Sequence, residues 1–440
     1  MVNGKSWAIL AAVAAVAFNG AVHAESSVAG ASSPNALTLT APVAAQAAPA
    51  QRPLTRGLDA IGAAKPLADA RIDIGGYVSG SLTYFLDPAE GKIQPGRGFD
   101  SENQDVTLNQ AGIFVERTVD SKKAEFDVGG KIESIYGADA RFTKSTGLFD
   151  HQGVNDGPNN QYDLVQAYAD VVLPVGNGLK LRVGKFVTGA GVEVINPTGN
   201  ALYSRGLLFT YLLPFTHTGA TGTYNISDTW ALELGVVRGW DDALEDKNGN
   251  GVSFYARSSN ALNDNKSNVY TTFIAGPEYA GNTNDYRYLL DVVYTVAYSD
   301  NWTFAVQADA LFESNVDPVG GSSDLGFAGG LGGWATYKYS QYVSVTGRGE
   351  YLYDGQGFRF SPPVFGDFNG DGTTVQAPGT GEGNNIYSAT VGLTITPFPT
   401  DNLGSNLKIR PEFRYDYADQ AVFGGDNNQV TFAIEAYFTF

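Results

Sequence analysis

A closed all-β barrel that crosses a membrane is the fold class this sequence predicts, and three observations predict it. The last stretch, residues 428–440, alternates with a period of two. Val430, Phe432, Ile434, Ala436, Phe438 and Phe440 share one face. Thr431, Ala433, Glu435, Tyr437 and Thr439 share the other. The same alternation starts at Arg71 and runs to the end of the chain. Finally, no apolar run beyond the first residues approaches the ~17 residues that a spanning helix needs. In lipid only helices and closed barrels satisfy every backbone group, so a chain of this pattern in a membrane must be a barrel.

Composition agrees. Apolar residues make up 43% of the chain, too few for a bundle of membrane helices. With 54 Gly, 24 Tyr, 25 Phe and only 17% charged residues, the chain suits many turns, aromatic girdles and a half-polar interior. The absence of Cys excludes disulfides and thiolate metal sites. A formal net charge of −18 argues against nucleic acid as a partner. No zinc motif or phosphate-binding Gly loop is present, so no cofactor is expected.

Residues 1–24 read as a secretory signal peptide. Lys5 supplies the positive start, residues 7–18 the apolar stretch, and Val22-His23-Ala24 the small-residue cleavage site. Residues 25–70 are rich in Ala, Pro and Ser and read as a flexible segment. A short Ala-rich helix near 44–50 is compatible with this, but Pro42, Pro49 and Pro53 argue against a long one. Residues 71–440 form the barrel.

Strand by strand, Ile74, Gly76, Val78, Gly80, Leu82 and Tyr84 make the outer face of the first. Further strands are expected at 106–118, 126–137, 165–171, 179–183, 215–224, 229–239, 269–276, 287–296, 302–312, 332–339, 343–353, 386–396 and 407–417. A weakly patterned one at 206–213 and the terminal one bring the total to about 16, within a range of 14–18, and even as single-chain barrels require. Short connections such as Ser299-Asp300-Asn301 alternate with long ones, notably 241–267 and 355–384. This predicts short periplasmic turns and long extracellular loops.

The charged residues locate the interior. On 407–417, Lys408, Arg410, Glu412, Arg414 and Asp416 fall on one face, and Leu407, Ile409, Phe413 and Tyr415 on the other. Five charges on one face cannot meet an apolar surface unpaired. The same split puts Lys131 and Glu133, Lys180 and Arg182, Arg287 and Asp291, and Arg348 and Glu350 inside. These thirteen residues are the expected pore lining. Arg348, Arg410 and Arg414 would form one basic wall. The interior as a whole is nearly balanced in sign, which predicts a weak cation preference that fades with salt. Pro411, on the apolar face, needs a bulge or a strand end.

Two loops, 246–251 and 367–372, look like the first half of a calcium site. Arg257 and Pro378 stand where its twelfth-position acid belongs, so both read as tight turns and no metal is expected. His217 is the one candidate general base, and no catalytic residue is assigned with it.

The last strand, ending on Phe440, resembles the terminal assembly strand of bacterial outer-membrane barrels. The stretches Gly184-Lys185-Phe186, Glu193, Tyr203-Ser204-Arg205 and 214–219 resemble the OmpL-like β-barrel porin family. Leu108-Asn109-Gln110, 136–140 and Arg348-Gly349-Glu350 add to the resemblance. It implies a bacterial outer-membrane channel for small hydrophilic solutes and ions, with the lipid bilayer as partner and a homo-oligomer left open. It assigns no site residues. The alternatives are a non-conducting surface or adhesion protein, or a hydrolase borne on the barrel.

Overall fold

The alternating segments pair into one antiparallel sheet that closes on itself. The computed structural model describes residues 52–87, 96–151, 158–245, 250–278, 283–314, 316, 325–360, 367–369, 373–375, 383–423 and 425–440. The expected signal peptide, the helix near 44–50 and parts of both calcium-like loops lie outside them.

The barrel strands are β1 (Ile72–Asp87), β2 (Val106–Arg117), β3 (Asp127–Gly137), β4 (Gln161–Leu173), β5 (Leu179–Val187), β6 (Thr216–Asn225), β7 (Trp230–Val237) and β8 (Ser253–Leu262). They continue with β9 (Ser267–Pro277), β10 (Tyr286–Ala297), β11 (Trp302–Glu313), β12 (Gly326–Lys338) and β13 (Val343–Asp354). A two-stranded hairpin follows, β14 (Asp367–Asn369) and β15 (Thr373–Val375). The barrel then finishes with β16 (Asn384–Ile395), β17 (Leu407–Ala418) and β18 (Asn428–Thr439). Each of the 16 barrel strands pairs with its neighbours along the chain, and β18 closes the ring on β1. Gly76 and Phe440 exchange both backbone hydrogen bonds at that seam, at 2.9 and 2.8 Å. Closure leaves no edge strand in lipid.

Side-chain exposure follows the pleat. Phe432 and Ile434 face outward at 41% and 39%, while Ala433 and Glu435 between them are buried. Aromatics gather at both ends of the outer wall. Trp302 stacks on Phe304 near the short turns, and Tyr351, Tyr387 and Tyr417 line up near the long loops. Such girdles mark the two interfaces of a bilayer. The β8–β9 turn holds Asn263, Asp264 and Asn265 all at positive φ, where Asn and Asp tolerate a left-handed backbone.

Four expectations change. The strand expected at 206–213 is the short helix α4 (Leu207–Leu212), all of it buried inside the barrel. Its apolar run suits a helix wrapped by wall on every side as well as a strand. β8 was read as part of a long loop. Its Ser and Asn residues weaken the alternation of Phe254 and Ala256 against Tyr255 and Arg257. The two errors cancel in the strand number. Residues 52–70, expected to be flexible, hold α1 (Pro53–Ala60) and α2 (Ala64–Asp69). Pro53 opens α1, where its missing N–H costs nothing. A four-residue turn, α3 (Ala140–Thr143), is buried beyond β3. Pro411 makes no bulge: β16 and β17 pair at Gly392 with Glu412 and again at Ile395 with Ile409, in one register with the ladder open between.

Candidate functional site

The interior is organised by the 188–215 connection between β5 and β6. Instead of leaving the barrel, it turns into it. Its ends stay together, because the Thr188 N–H donates to the Phe215 carbonyl at 3.0 Å. Within it, Asn196 Oδ1 accepts from the Thr198 N–H at 2.9 Å and caps a single turn that Pro197 starts. Arg205 donates to the carbonyls of Val194, Tyr203 and Ile195 at 2.9, 2.8 and 2.6 Å. The segment therefore carries contacts of its own besides those to the wall.

The wall then fastens it with charge. Arg348 of β13 donates to Glu193 Oε1 at 2.6 Å and to the Ser204 carbonyl at 2.7 Å. Glu412 of β17 accepts from the Tyr203 and Ser204 N–H groups at 2.9 and 3.2 Å. Glu350 accepts from the Leu208 N–H at 3.2 Å, at the start of α4, where a carboxylate meets unpaired backbone donors. Arg414 donates to the Arg205 carbonyl at 2.7 Å and to Asp416 at 2.8 Å. Arg410 donates to the Asn200 carbonyl and to Glu435. On the other side of the segment, Gln110 of β2 donates to the Ile195 carbonyl at 2.9 Å and to Asp139 at 2.7 Å. Burial pushes the Asp139 carboxyl, in the loop after β3, up to about 7, although Arg205 and the Gln110 donor pull it down. The Tyr203 hydroxyl meets Ser81 at 2.7 Å and Asn109 at 3.0 Å.

All thirteen expected interior residues lie on barrel strands. Lys131 and Lys408 are partly buried and the other eleven are buried. They divide into two groups. Arg348, Glu350, Arg410, Glu412, Arg414 and Asp416 meet at the inward segment. Lys131 and Glu133, Lys180 and Arg182, Arg287 and Asp291, and Lys408, which donates to the Thr396 hydroxyl at 2.7 Å, lie around the rest of the wall. There Lys131 pairs with Glu133 at 2.7 Å, Arg182 grips Asp170 at 2.8 and 2.9 Å, and Arg287 pairs with Glu313. The expected basic wall is not open to water, because each of its three guanidiniums is paired and covered by the segment.

Sequence reasoning missed Arg257, Gln307 and the depth of the 188–215 segment. Arg257 was hidden with β8. The segment has no periodicity to betray it, since its bonds run from irregular backbone to distant strands.

His217 is fully buried. Its Nδ1 meets the Gly239 carbonyl at 3.0 Å and its Nε2 the Thr188 hydroxyl at 3.2 Å. Among the described residues no carboxylate completes a hydrolytic set there. Beside Thr188–Ile195 the segment leaves a cavity of about 60 Å³, lined by Gln166, Arg182, Glu233, Tyr255 and Arg257.

A closed 16-strand barrel with an apolar girdled exterior and a charged interior defines an outer-membrane β-barrel protein. The family described as "Putative beta-barrel porin-2, OmpL-like" matches residues 71–440, and the chain belongs to it. The protein is therefore located in the bacterial outer membrane. No curated protein matches the sequence. Among solved structures, OprB of Pseudomonas putida at high pH is similar at 11% identity and a TM-score of 0.52, covering 87% of this chain and 97% of its own. The outer-membrane channel DcaP of Acinetobacter baumannii is similar at 13% identity and 0.50, covering 84% and 97%. A loop-deleted OmpT, an outer-membrane protein of Vibrio cholerae, is similar at 12% and 0.50, covering 84% and 99%. At these identities the likeness is one of fold. The residues that carried the family resemblance in sequence meet in space: Asn109, Gln110, Asp139, Glu193, Tyr203, Ser204, Arg205, Arg348 and Glu350 all belong to the network that seats the segment.

Proposed function

We propose that this barrel is a passive channel for small hydrophilic solutes and ions, and not an enzyme. The observation that carries the reading is the interior itself. Sixteen strands enclose more room than wall side chains fill, and charged side chains with a polar inward segment take up that space. A barrel serving only as a surface scaffold has no need of a charged, segmented lumen. The cavity beside Gly189–Gly191 holds about two water volumes. The segment fills much of the lumen beside this cavity, which favours small solutes over large ones. Paired interior charges leave little net field, which supports a weak cation preference that salt screens.

The test is single-channel recording in planar bilayers, with reversal potentials across a salt gradient. Small, ohmic, weakly cation-selective steps are expected. Silent membranes at high protein load would return the reading to the non-conducting surface protein. Strong anion selectivity would overturn the charge assignment.

A further inference from the structure

Under residues 189–192 two carboxyl groups face each other in the wall. Asp291 of β10 and Asp309 of β11 are direct partners in the antiparallel ladder, and both are fully buried. Their side chains are close enough to hydrogen-bond once one is protonated. Two buried anions in that position only repel, whereas one proton between them turns repulsion into a hydrogen bond. Besides each other, the donors that approach the pair are the Gly191 amide at Asp291 and the Gln307 amide at Asp309.

The surrounding groups do not neutralise the pair. Arg257 of β8 lies across Thr272 from Asp291, two strands away. Glu350 of β13 is bound to Arg348. Glu193 of the segment is bound to Arg348. Thr272 of β9, opposite Asp291, is uncharged.

The pair is wired to the segment. Gln307 Nε2 donates to Asp309 Oδ2 at 2.7 Å, while its Oε1 accepts from the Val192 N–H at 2.9 Å. The Thr272 hydroxyl donates to the Gly189 carbonyl at 3.4 Å. The Gly191 amide faces Asp291, and its φ of 84° is one that other residues rarely adopt. Few bonds hold this stretch, in contrast to the arginines that hold residues 193–206.

Resting on the channel reading, we propose that Asp291 and Asp309 bind one shared proton, and that this proton keeps residues 189–192 seated on the wall. When the proton leaves to bulk water, the pair goes from one negative charge to two. A doubly charged buried pair needs water. Water reaches it by lifting the stretch between Gly189 and Val192, which widens the passage. Residues 193–206 stay clamped. The channel is thus narrow in acid and wider in alkali.

The test uses the whole folded barrel in two assays. Infrared difference spectra between acidic and alkaline buffer read the C=O stretch of a protonated carboxylic acid. Bilayer conductance is recorded over the same pH range. Asp309→Asn replaces the shared proton with a permanent amide donor to Asp291, so it keeps the packing. The expected result is a protonated carboxyl at neutral pH that is lost in Asp309→Asn. Native conductance should rise with pH, while the variant stays low throughout. Gln307→Leu cuts the link to Val192 and should conduct at the high level at every pH. Repeating the series in Asp139→Asn removes a loop carboxyl that titrates about 7.

No protonated carboxyl at neutral pH, or a full pH response in Asp309→Asn, overturns the proposal. Conductance set by added calcium at fixed pH would overturn the proton as the ligand. If the native barrel conducts at no pH, the channel reading fails, and the infrared result decides the proton site on its own.

Discussion

Towards β13 and β17, the inward segment meets five buried charged side chains, among them an arginine-to-backbone clamp. Towards β8–β11, it meets Gln307, the Thr272 and Tyr255 hydroxyls, the Asp291 carboxyl and a small cavity. The same stretch of chain is therefore fixed on one flank and lightly held on the other. Charge inside this barrel is used first for fastening, and only what is left over can act on a passing ion. A buried ion pair is not free stabilisation, since desolvation offsets much of its attraction. Its use here is geometric: each guanidinium chooses one carbonyl of the segment and fixes its path.

Breaking the clamp should give the largest effect. Arg348→Ala leaves Glu193 and Glu350 without their cation. Removing one partner of a buried pair costs about 3–5 kcal/mol. The heat needed to unfold the barrel in detergent should fall clearly, and conductance should rise as residues 193–206 leave the wall. Unchanged conductance in a folded Arg348→Ala barrel would mean the segment does not depend on this arginine.

Next comes the pair Arg410→Ala with Arg414→Ala. Each loses one segment carbonyl, Asn200 or Arg205, while Glu412 still holds Tyr203 and Ser204. The barrel should fold, conduct somewhat more, and become more cation-selective, because Glu435 loses its cation and Asp416 is left with Arg97. Reversal potentials read this directly. No change in selectivity would show that these carboxylates do not face the route.

The contrast between the flanks also explains what the sequence could reveal. Strand faces were legible, because period-two alternation survives wherever one side meets lipid. Lys408 to Asp416 announced their face without help. What these charges touch was not legible, since Arg348 and Glu193 lie 155 positions apart. Phe209 and Leu212 read equally well as strand or helix, and only the surrounding wall decides. β8 was lost because Ser258, Ser259 and Asn260 give lipid-facing and inward positions the same polarity.

On the light flank, Gly189→Ala should act through space alone. A Cβ there would lie 2.6 Å from Arg257 Cδ and 2.6 Å from the Tyr255 hydroxyl. Such contacts force a shift of the stretch or of the Arg257 side chain. A modest change in conductance is expected, with stability close to native. An effect as large as that of Arg348→Ala would show that the two flanks are held equally.

The smallest effect on conductance concerns Asp139, which leans on the clamp from the β2 side through Gln110. Its ordinary value is 3.8 and burial raises it to about 7. The sign follows from which form the fold prefers. Here the folded protein favours the protonated acid, so the unfolded chain loses that proton first. The barrel is therefore destabilised progressively as pH rises from about 4 to about 7, and the penalty is constant above that range. Asp139→Asn mimics the protonated acid and cannot ionise. Its heat resistance in detergent should match the native barrel in acid and exceed it above pH 7, with the two curves separating across the same window. Because Gln110 also holds Ile195, the segment stays in place and conductance should not change. A variant weaker than native at every pH would mean that Asp139 is a charged partner of Arg205, and the β2 side would then belong to the clamp.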